Sequence, residues 1–143
     1  MTNWDARFLS LAAHVAMWSK DPSTKVGAVV VDDLRRVVGT GYNGFPRGVL
    51  DMEDRYADRE KKYPRVVHAE VNAILNAVAS VRGCTLYVTP LPTCERCAGV
   101  IIQSGIRRVV VPNLIVMDRW SASWEIALEM YQEAGVMVSM VNT

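Results

Sequence analysis

Two short motifs hold the residues whose types and spacing could do chemistry. His68 and Glu70 are separated by one residue, and Cys94 and Cys97 lie three positions apart in the segment PLPTCERCAG. Each pair falls in the first turn of a predicted helix, where the partial positive charge of the helix N-terminus favours thiolate over thiol. One imidazole and two thiolates form an open zinc site with a fourth position for water, whereas structural zinc normally takes four protein ligands. We therefore predict one catalytic Zn²⁺ ion per chain, bound by His68, Cys94 and Cys97.

Glu70 is predicted to act beside the metal rather than to bind it. Zinc lowers the pKa of its bound water to about 7 and so supplies hydroxide at neutral pH. One well-placed carboxylate can take up the water's proton and pass it on to a substrate. The pattern predicts hydrolysis by zinc-bound hydroxide, with Glu70 as the proton shuttle.

Two other interpretations of the cysteine pair are open. A thiol-redox pair is one, although that motif is expected near the first strand and helix of a fold. A zinc scaffold closed by Cys84 is the other, but Cys84 begins a predicted strand and lies about 20 Å from Cys94 along it. Cys84 is better interpreted as a small buried apolar side chain. A zinc-scaffold or thiol-redox protein is the alternative outside the enzymes.

Composition narrows the class of protein. The 143 residues fit a single domain, 1–143, and half of them are hydrophobic. Sixteen basic and fifteen acidic residues nearly cancel, so the chain has no overall field for a nucleic-acid backbone. No apolar run approaches the roughly 18 residues of a membrane span, and the first residues do not resemble a signal peptide. Three cysteines, an odd number, argue against a disulfide framework, so we expect a cytoplasmic protein. From the charge balance and the short apolar runs we expect that it binds neither nucleic acid nor membrane.

Alternating patterns predict the elements that must position these motifs. Helices are predicted over 4–19, 68–79, 94–103 and 121–134, and strands over 26–32, 35–43, 84–90, 107–112 and 136–141. The first two strands form a hairpin, and the later ones alternate with helices, which requires parallel crossovers. The predicted fold class is α/β.

Two further segments lie outside these regular patterns. The segment 51–65 carries five acids and five bases, and we interpret it as a solvated, partly helical excursion. The alternative is a flap near a site, because long loops in compact domains are often functional. Thr93 precedes the first cysteine, and we expect its hydroxyl to cap the helix, with Glu95 favourably placed against the helix dipole.

Several motifs together resemble one known family. H-x-E followed 24 residues later by C-x-x-C matches the signature of zinc nucleobase deaminases. With SKDPSTKVGAVVVDD (19–33), GYNGFPRG (41–48), LYVTPLPTC (86–94) and IIQSGIRRVVV (101–111), the chain resembles the deoxycytidylate (dCMP) deaminases of the zinc-dependent cytidine deaminase-like superfamily. The resemblance implies a three-layer α/β/α sandwich around a mixed five-stranded sheet. It also implies hydrolysis of dCMP to dUMP and ammonia; the alternatives are a cytidine or deoxycytidine nucleoside deaminase and a tRNA adenosine deaminase.

The resemblance also implies roles for further residues. Asn43 would bind the deoxyribose, unless it is only a turn residue, and the backbone of Ala69 would bind the pyrimidine edge. For the phosphate, Lys25 beside the hydroxyls of Ser23 and Thr24 is the first candidate, unless its strand places it outside the cleft. Arg119 is the second candidate, and Trp120 would wall the pocket.

The resemblance also implies a mode of regulation and an oligomeric state. Members of this family are commonly homohexamers, activated by dCTP and inhibited by dTTP. The effector site would involve Gly41, Tyr42, Gly44 and Arg47.

Overall fold

The computed structural model describes residues 3–113 and 118–142, except for the side chains of residues 118–120. Six helices are present in this part of the chain: α1 (Trp4–Ala16), α2 (Glu53–Ala57), α3 (Arg59–Lys62), α4 (Ala69–Leu75), α5 (Glu95–Gln103) and α6 (Asp118–Ala134). The same residues form five strands: β1 (Gly27–Val31), β2 (Val37–Tyr42), β3 (Thr85–Thr89), β4 (Arg108–Pro112) and β5 (Met137–Val141).

The five strands form one mixed sheet in the order β2-β1-β3-β4-β5. β1 runs antiparallel to both β2 and β3, with Val29 opposite Thr40 and Tyr87. β3, β4 and β5 are parallel, with α5 and α6 as the crossovers between them. The predicted α/β fold is confirmed.

Helices cover both faces of the sheet and make three layers. On one face, α1 packs against side chains such as Val29 and Val110. On the other face, the core includes residues of α4, α5 and α6, among them Ala73, Ile101 and Ala127. β1 is buried along its whole length, which is why its five residues are a continuous apolar run.

The second face brings the two chemical motifs to one edge of the sheet. The loop after β3 leads directly into α5, which carries the cysteines. α4 lies so close to β2 that a Cβ on Gly41 would be 2.2 Å from the backbone nitrogen of Ala73. An isolated bridge between Gly44 and Val67 then holds the chain just before His68.

The element bounds differ from the predicted ones mainly at helix ends. α1 ends at Ala16 and α4 at Leu75, each several residues before the predicted end. Beyond Leu75 the backbone turns towards β2, and the N–H of Val78 donates to the carbonyl of Val38. In the described part of the chain, no helix has the length and apolar character to cross a lipid bilayer.

Candidate metal centre and active-site cleft

The structure brings the three predicted ligands together. One ligand atom from each of His68, Cys94 and Cys97 lies within 4.8 Å of the other two. Nδ1 of His68 is 3.2 Å from Sγ of Cys97 and 3.5 Å from Sγ of Cys94. Imidazole nitrogen and cysteine sulfur are the donors that zinc prefers.

The positions of two ligands follow from where their helices begin. His68 and Cys94 are the N-cap residues of α4 and α5, and both have extended backbone conformations. Cys97 lies in the first turn of α5, and its N–H donates to Sγ of Cys94 at 3.4 Å. A ligand at the N-cap lies at the end of its helix, so residues at the starts of two helices can converge on one point.

The expected N-cap role of Thr93 is wrong. Cys94 caps α5, and the Thr93 hydroxyl instead lies 2.7 Å from the hydroxyl of Tyr131, which can donate or accept. Both side chains are buried, so each hydroxyl needs the other as its partner. Glu95 lies in the first turn as expected, and there it accepts a hydrogen bond from the Ser123 hydroxyl.

The electrostatics of the group favour one thiolate. A hydrogen bond from Cys97 is the main cause that lowers the pKa of Cys94, with a further contribution from His68. The same hydrogen bond, together with burial, raises the pKa of the Cys97 thiol. The hydrogen bond to Cys94 also raises the pKa of His68. Without metal, the three groups therefore share protons that an ion would have to displace.

Glu70 lies in the first turn of α4, directly beside this group, and is only 4 % exposed. Burial raises the pKa of its carboxyl group, although a hydrogen bond with Cys97 and the nearby His68 act in the opposite direction. A carboxyl group with a raised pKa holds a proton more readily than an exposed one, which suits a group that takes up and releases protons in turn.

His68, Cys94 and Glu70 line a cleft of about 810 Å³, and Cys97 is buried behind them. Four regions supply most of its lining: the 21–24 loop, the α2–α3 segment, the start of α4 and the loop that leads into α5. Ser123 of α6 adds to the rim. The volume suits a small organic ligand.

The segment 51–65 is mostly exposed and partly helical, as predicted, and it also forms one wall of the cleft, so the alternative of a flap near a site agrees with the structure in its position. Tyr56, Arg59, Lys62 and Tyr63 all line the cleft. Tyr56 is buried and its ring stacks on Phe45, with centroids 4.1 Å apart. The two tyrosines within the charge run were the signal for this role.

A buried ion pair joins this wall to the opposite loop. Nζ of Lys62 lies 2.7 Å from Oδ2 of Asp21, whose side chain is 1 % exposed. Burial acts to raise the pKa of Asp21, but hydrogen bonds from Lys62 and from the backbone of Ser23 and Thr24 outweigh it, so the pKa is lowered. Asp21 also accepts a hydrogen bond from the amide of Asn43. Sequence reasoning missed this pair, which joins positions far apart in the chain.

The residues predicted to bind substrate fall into three groups. Ser23, Thr24, Asn43 and Ala69 line the cleft. Lys25 is not part of the lining, and its ammonium donates to the carbonyl of Ser19 at 2.8 Å. The side chains of Arg119 and Trp120 lie outside the described residues.

The side chain of Asn43 already makes hydrogen bonds within the protein. Its side-chain oxygen accepts from the N–H of Val26 at 2.8 Å, and its amide donates to the carbonyl of Thr24 at 2.9 Å. These bonds shape the rim of the cleft, and the predicted contact with deoxyribose stays a prediction.

The four residues predicted to bind effectors follow one another along the chain from β2 into the next loop. Gly41 is buried beneath α4, and Gly44 bridges Val67. Tyr42 is exposed with its ring edge against Trp18, and Arg47 is exposed near the Asn76 side chain. Their effector role stays a prediction.

Two cleft cations were not found from the sequence. Arg59 of α3 and Arg96 of α5 both line the cleft and are exposed. Arg96 lies between the two cysteines, whose spacing indicates a metal site but gives no indication of a role for the guanidinium. Neither residue carries a pattern that distinguishes it from a surface arginine.

The sheet, its helices and the His-Cys-Cys group beside a buried glutamate define a deaminase of the cytidine deaminase-like fold. The family model of the cytidine and deoxycytidylate deaminase zinc-binding region matches residues 2–113. The chain therefore belongs to the cytidine and deoxycytidylate deaminase family.

Individual relatives agree with this assignment. A protein of Aliivibrio fischeri, described as an uncharacterized deaminase in the luxG 3' region, is 43% identical over 97% of this chain and 94% of its own length. The human deoxycytidylate deaminase is 43% identical over 75% of this chain, which spans 63% of the human protein. Among solved structures, the dCMP deaminase of cyanophage S-TIM5, in complex with dCMP and dUMP, is 27% identical with a TM-score of 0.77 over 98% of this chain and 99% of its own.

Proposed function

We propose that this protein hydrolyses dCMP to dUMP and ammonia. The observation that carries the proposal is the buried Glu70 beside His68, Cys94 and Cys97 in a cleft of nucleotide size. The cyanophage dCMP deaminase, which shares the fold over nearly the whole chain, supports dCMP as the substrate.

The donor set fits Zn²⁺. His68, Cys94 and Cys97 would hold the ion through one nitrogen and two sulfurs, and three protein ligands leave one position open. When bound there, zinc would supply a water that is nucleophilic at neutral pH. Only the thiolate is a metal ligand, so binding of the ion would displace the protons that Cys94 and Cys97 hold in its absence.

Glu70 would move the protons of the reaction. Its carboxylate takes a proton from the attacking water and gives it to N3 of the pyrimidine, and a later transfer releases ammonia from C4. The raised pKa of this buried group matches a residue that must be base and acid in turn. The backbone of Ala69, at the start of α4, would orient the pyrimidine edge.

Arg59 and Arg96 would recognise the phosphate. Lys62 also lines the cleft, but its charge is already paired with Asp21. Arg59 and Arg96 are exposed to the cleft, and a guanidinium binds phosphate in a bidentate geometry. Activation by dCTP, inhibition by dTTP and assembly into a hexamer stay predictions of the family resemblance.

The first prediction tests the reaction itself. Wild-type protein should release ammonia from dCMP, and more slowly from deoxycytidine or cytidine. Glu70→Ala should lose turnover by about 10²- to 10⁴-fold, the usual contribution of a general acid–base, while zinc content stays equal to wild type. Ammonia release and metal analysis of the same samples measure both.

A matched control is Glu60→Ala, which removes a carboxylate from an exposed position of α3 and should keep full activity. Full turnover in Glu70→Ala would reject the deaminase mechanism and favour a zinc scaffold or thiol-redox protein. Equal rates on deoxycytidine and dCMP would instead indicate a nucleoside deaminase.

A further inference from the structure

Two hydroxyl groups of α6 contact the chain on either side of Cys94. The Tyr131 hydroxyl lies 2.7 Å from that of Thr93, the residue before the ligand. The Ser123 hydroxyl donates to the carboxylate of Glu95, the residue after it, and also accepts from the Glu95 N–H at 3.3 Å. α6 lies beyond residue 113, where the match to the family model ends.

The Thr93–Tyr131 contact is sealed from water. Thr93 is 1 % exposed and Tyr131 is 0 % exposed. Tyr131 belongs to the core cluster that contains Cys97, and Cys94 packs against the same cluster. Because both side chains are almost fully buried, loss of one hydroxyl would leave its partner without this hydrogen bond.

The position of Cys94 depends on this loop. Cys94 is the N-cap of α5: its carbonyl accepts from the N–H of Ala98 at 2.9 Å and its sulfur from the N–H of Cys97 at 3.4 Å, but the residues that lead into it lie outside the helix. The neighbouring residues therefore help to determine where the chain enters α5 and where the sulfur lies. Thr93 and Glu95 are both fixed by side chains of α6, at positions far from the motif in the chain.

We propose that Tyr131 is a positioning residue for the metal site, acting through Thr93 on Cys94, with Ser123 holding the other side of the ligand. The inference rests on the proposed zinc site, and it extends the catalytic unit to a helix that the family model does not include. The hydroxyl pair preorganises the loop, so an ion meets Cys94 already in place.

The test is the zinc affinity of Tyr131→Phe, which keeps the ring and removes only the hydroxyl. We expect zinc to bind about tenfold more weakly in a chelator competition, the usual effect of losing a group that orients a metal ligand. The turnover number of the zinc-loaded enzyme should also fall.

Tyr87→Phe is the matched control. Tyr87 is buried on the opposite face of the sheet, where its hydroxyl donates to Asp5 at 2.7 Å. The same chemical change there should lower the melting temperature without altering zinc affinity. If the role of Tyr131 were purely structural, Tyr131→Phe would likewise lower the melting temperature without altering zinc affinity.

A second variant tests the same bond from the loop. Thr93→Val should weaken zinc binding as Tyr131→Phe does, Thr93→Ser should restore it, and the double variant should be no weaker than the worse single one. These variants also serve if Tyr131→Phe does not fold. Wild-type zinc affinity in Thr93→Val and Tyr131→Phe would overturn this inference alone. A wild-type protein that binds no zinc would overturn the proposed function and this inference with it.

Discussion

At the scale of single residues, charge in the cleft decides which nucleotides can bind. Most charged groups in the lining already have a partner: Lys62 pairs with Asp21, and Glu70 is buried beside Cys97. Arg59 and Arg96 are exposed residues of the lining, and their guanidinium groups would complement a phosphate in sign and shape. Lys25 bonds to a backbone carbonyl away from the lining.

The second prediction follows from these charges. Arg59→Ala and Arg96→Ala should each raise KM for dCMP by about tenfold, because a hydrogen bond to a charged group contributes about 1.5–3 kcal/mol. Their rates on deoxycytidine, which has no phosphate, should stay unchanged. Steady-state kinetics on both substrates measure the difference.

Lys25→Ala separates the two assignments of the phosphate site. Its KM for dCMP should match wild type if the cleft arginines bind the phosphate. A tenfold increase in Lys25→Ala, with none in the arginine variants, would support the assignment made from the sequence instead.

What the sequence predicts at this scale depends on whether a residue lies in a motif. His68, Glu70, Cys94 and Cys97 are recognisable because their spacing and their types together suit one kind of chemistry. The role of Thr93 is not recognisable from the sequence, because its hydrogen-bond partner Tyr131 lies 38 positions away and no local pattern indicates their contact. Local propensity favours an N-cap, and a buried tertiary contact overrides it.

At the scale of elements, the contact between β2 and α4 positions half of the site. A Cβ on Gly41 would lie 2.2 Å from the nitrogen of Ala73 and 2.5 Å from the carbonyl oxygen of Ala69. Only a residue without a side chain lets the helix that carries Glu70 lie this close to the strand.

The third prediction concerns this contact. Gly41→Ala should lower the free energy of unfolding by about 3 kcal/mol, because the added methyl group forces the strand and helix apart. It should also reduce turnover, since Glu70 moves with α4. Urea denaturation and ammonia release measure the two effects.

Gly99→Ala is the control for this substitution. Gly99 lies within α5, and the nearest atom to an added Cβ is Cε of Met130 at 4.0 Å. Alanine there should be neutral or should stabilise the protein by about 0.5–1 kcal/mol. Equal stability of Gly41→Ala and Gly99→Ala would contradict the close approach of the two elements.

The elements most regular in sequence were also the most predictable. The valine-rich strands and α5 follow from the pattern of apolar residues alone. The segment that forms α2 and α3 does not, because α3 contains no buried residue and α2 buries only Tyr56. Its role comes from stacking and ion pairing with distant residues, which periodicity cannot detect.

At the scale of the whole molecule, one ion pair joins the first helix to the middle of the sheet. The guanidinium of Arg108 in β4 donates to both oxygens of Asp5 in α1, at 3.0 and 2.6 Å. The hydroxyl of Tyr87 donates to the same carboxylate. The hydrogen bond from Arg108 is the main cause that lowers the pKa of Asp5.

The fourth prediction is the pH dependence of stability. A carboxyl group whose pKa is lower in the folded than in the unfolded state stabilises the fold above its unfolded pKa of about 3.9. That contribution is lost as pH falls through the folded pKa. Asp5→Asn should therefore show a smaller loss of unfolding free energy than wild type between about pH 5 and pH 2. Urea unfolding at a series of pH values measures this, and a curve parallel to wild type would contradict it.

The overall architecture was predictable because alternation of strands and helices constrains the connections. A hairpin followed by strand–helix–strand units requires parallel neighbours and right-handed crossovers. The Asp5–Arg108 pair was not predictable, because 103 positions separate the two residues and each alone has the character of a surface charge.

The convergence of His68 with Cys94 and Cys97 has a consequence for the stability of the fold as well. An ion held by these side chains would join residues 26 positions apart, and these side chains meet only in the folded chain. The free energy of ion binding would therefore add to the free energy of folding. Unlike a disulfide, this link opens when the thiolates take up protons, so acid would remove the ion and its contribution to stability in the same step.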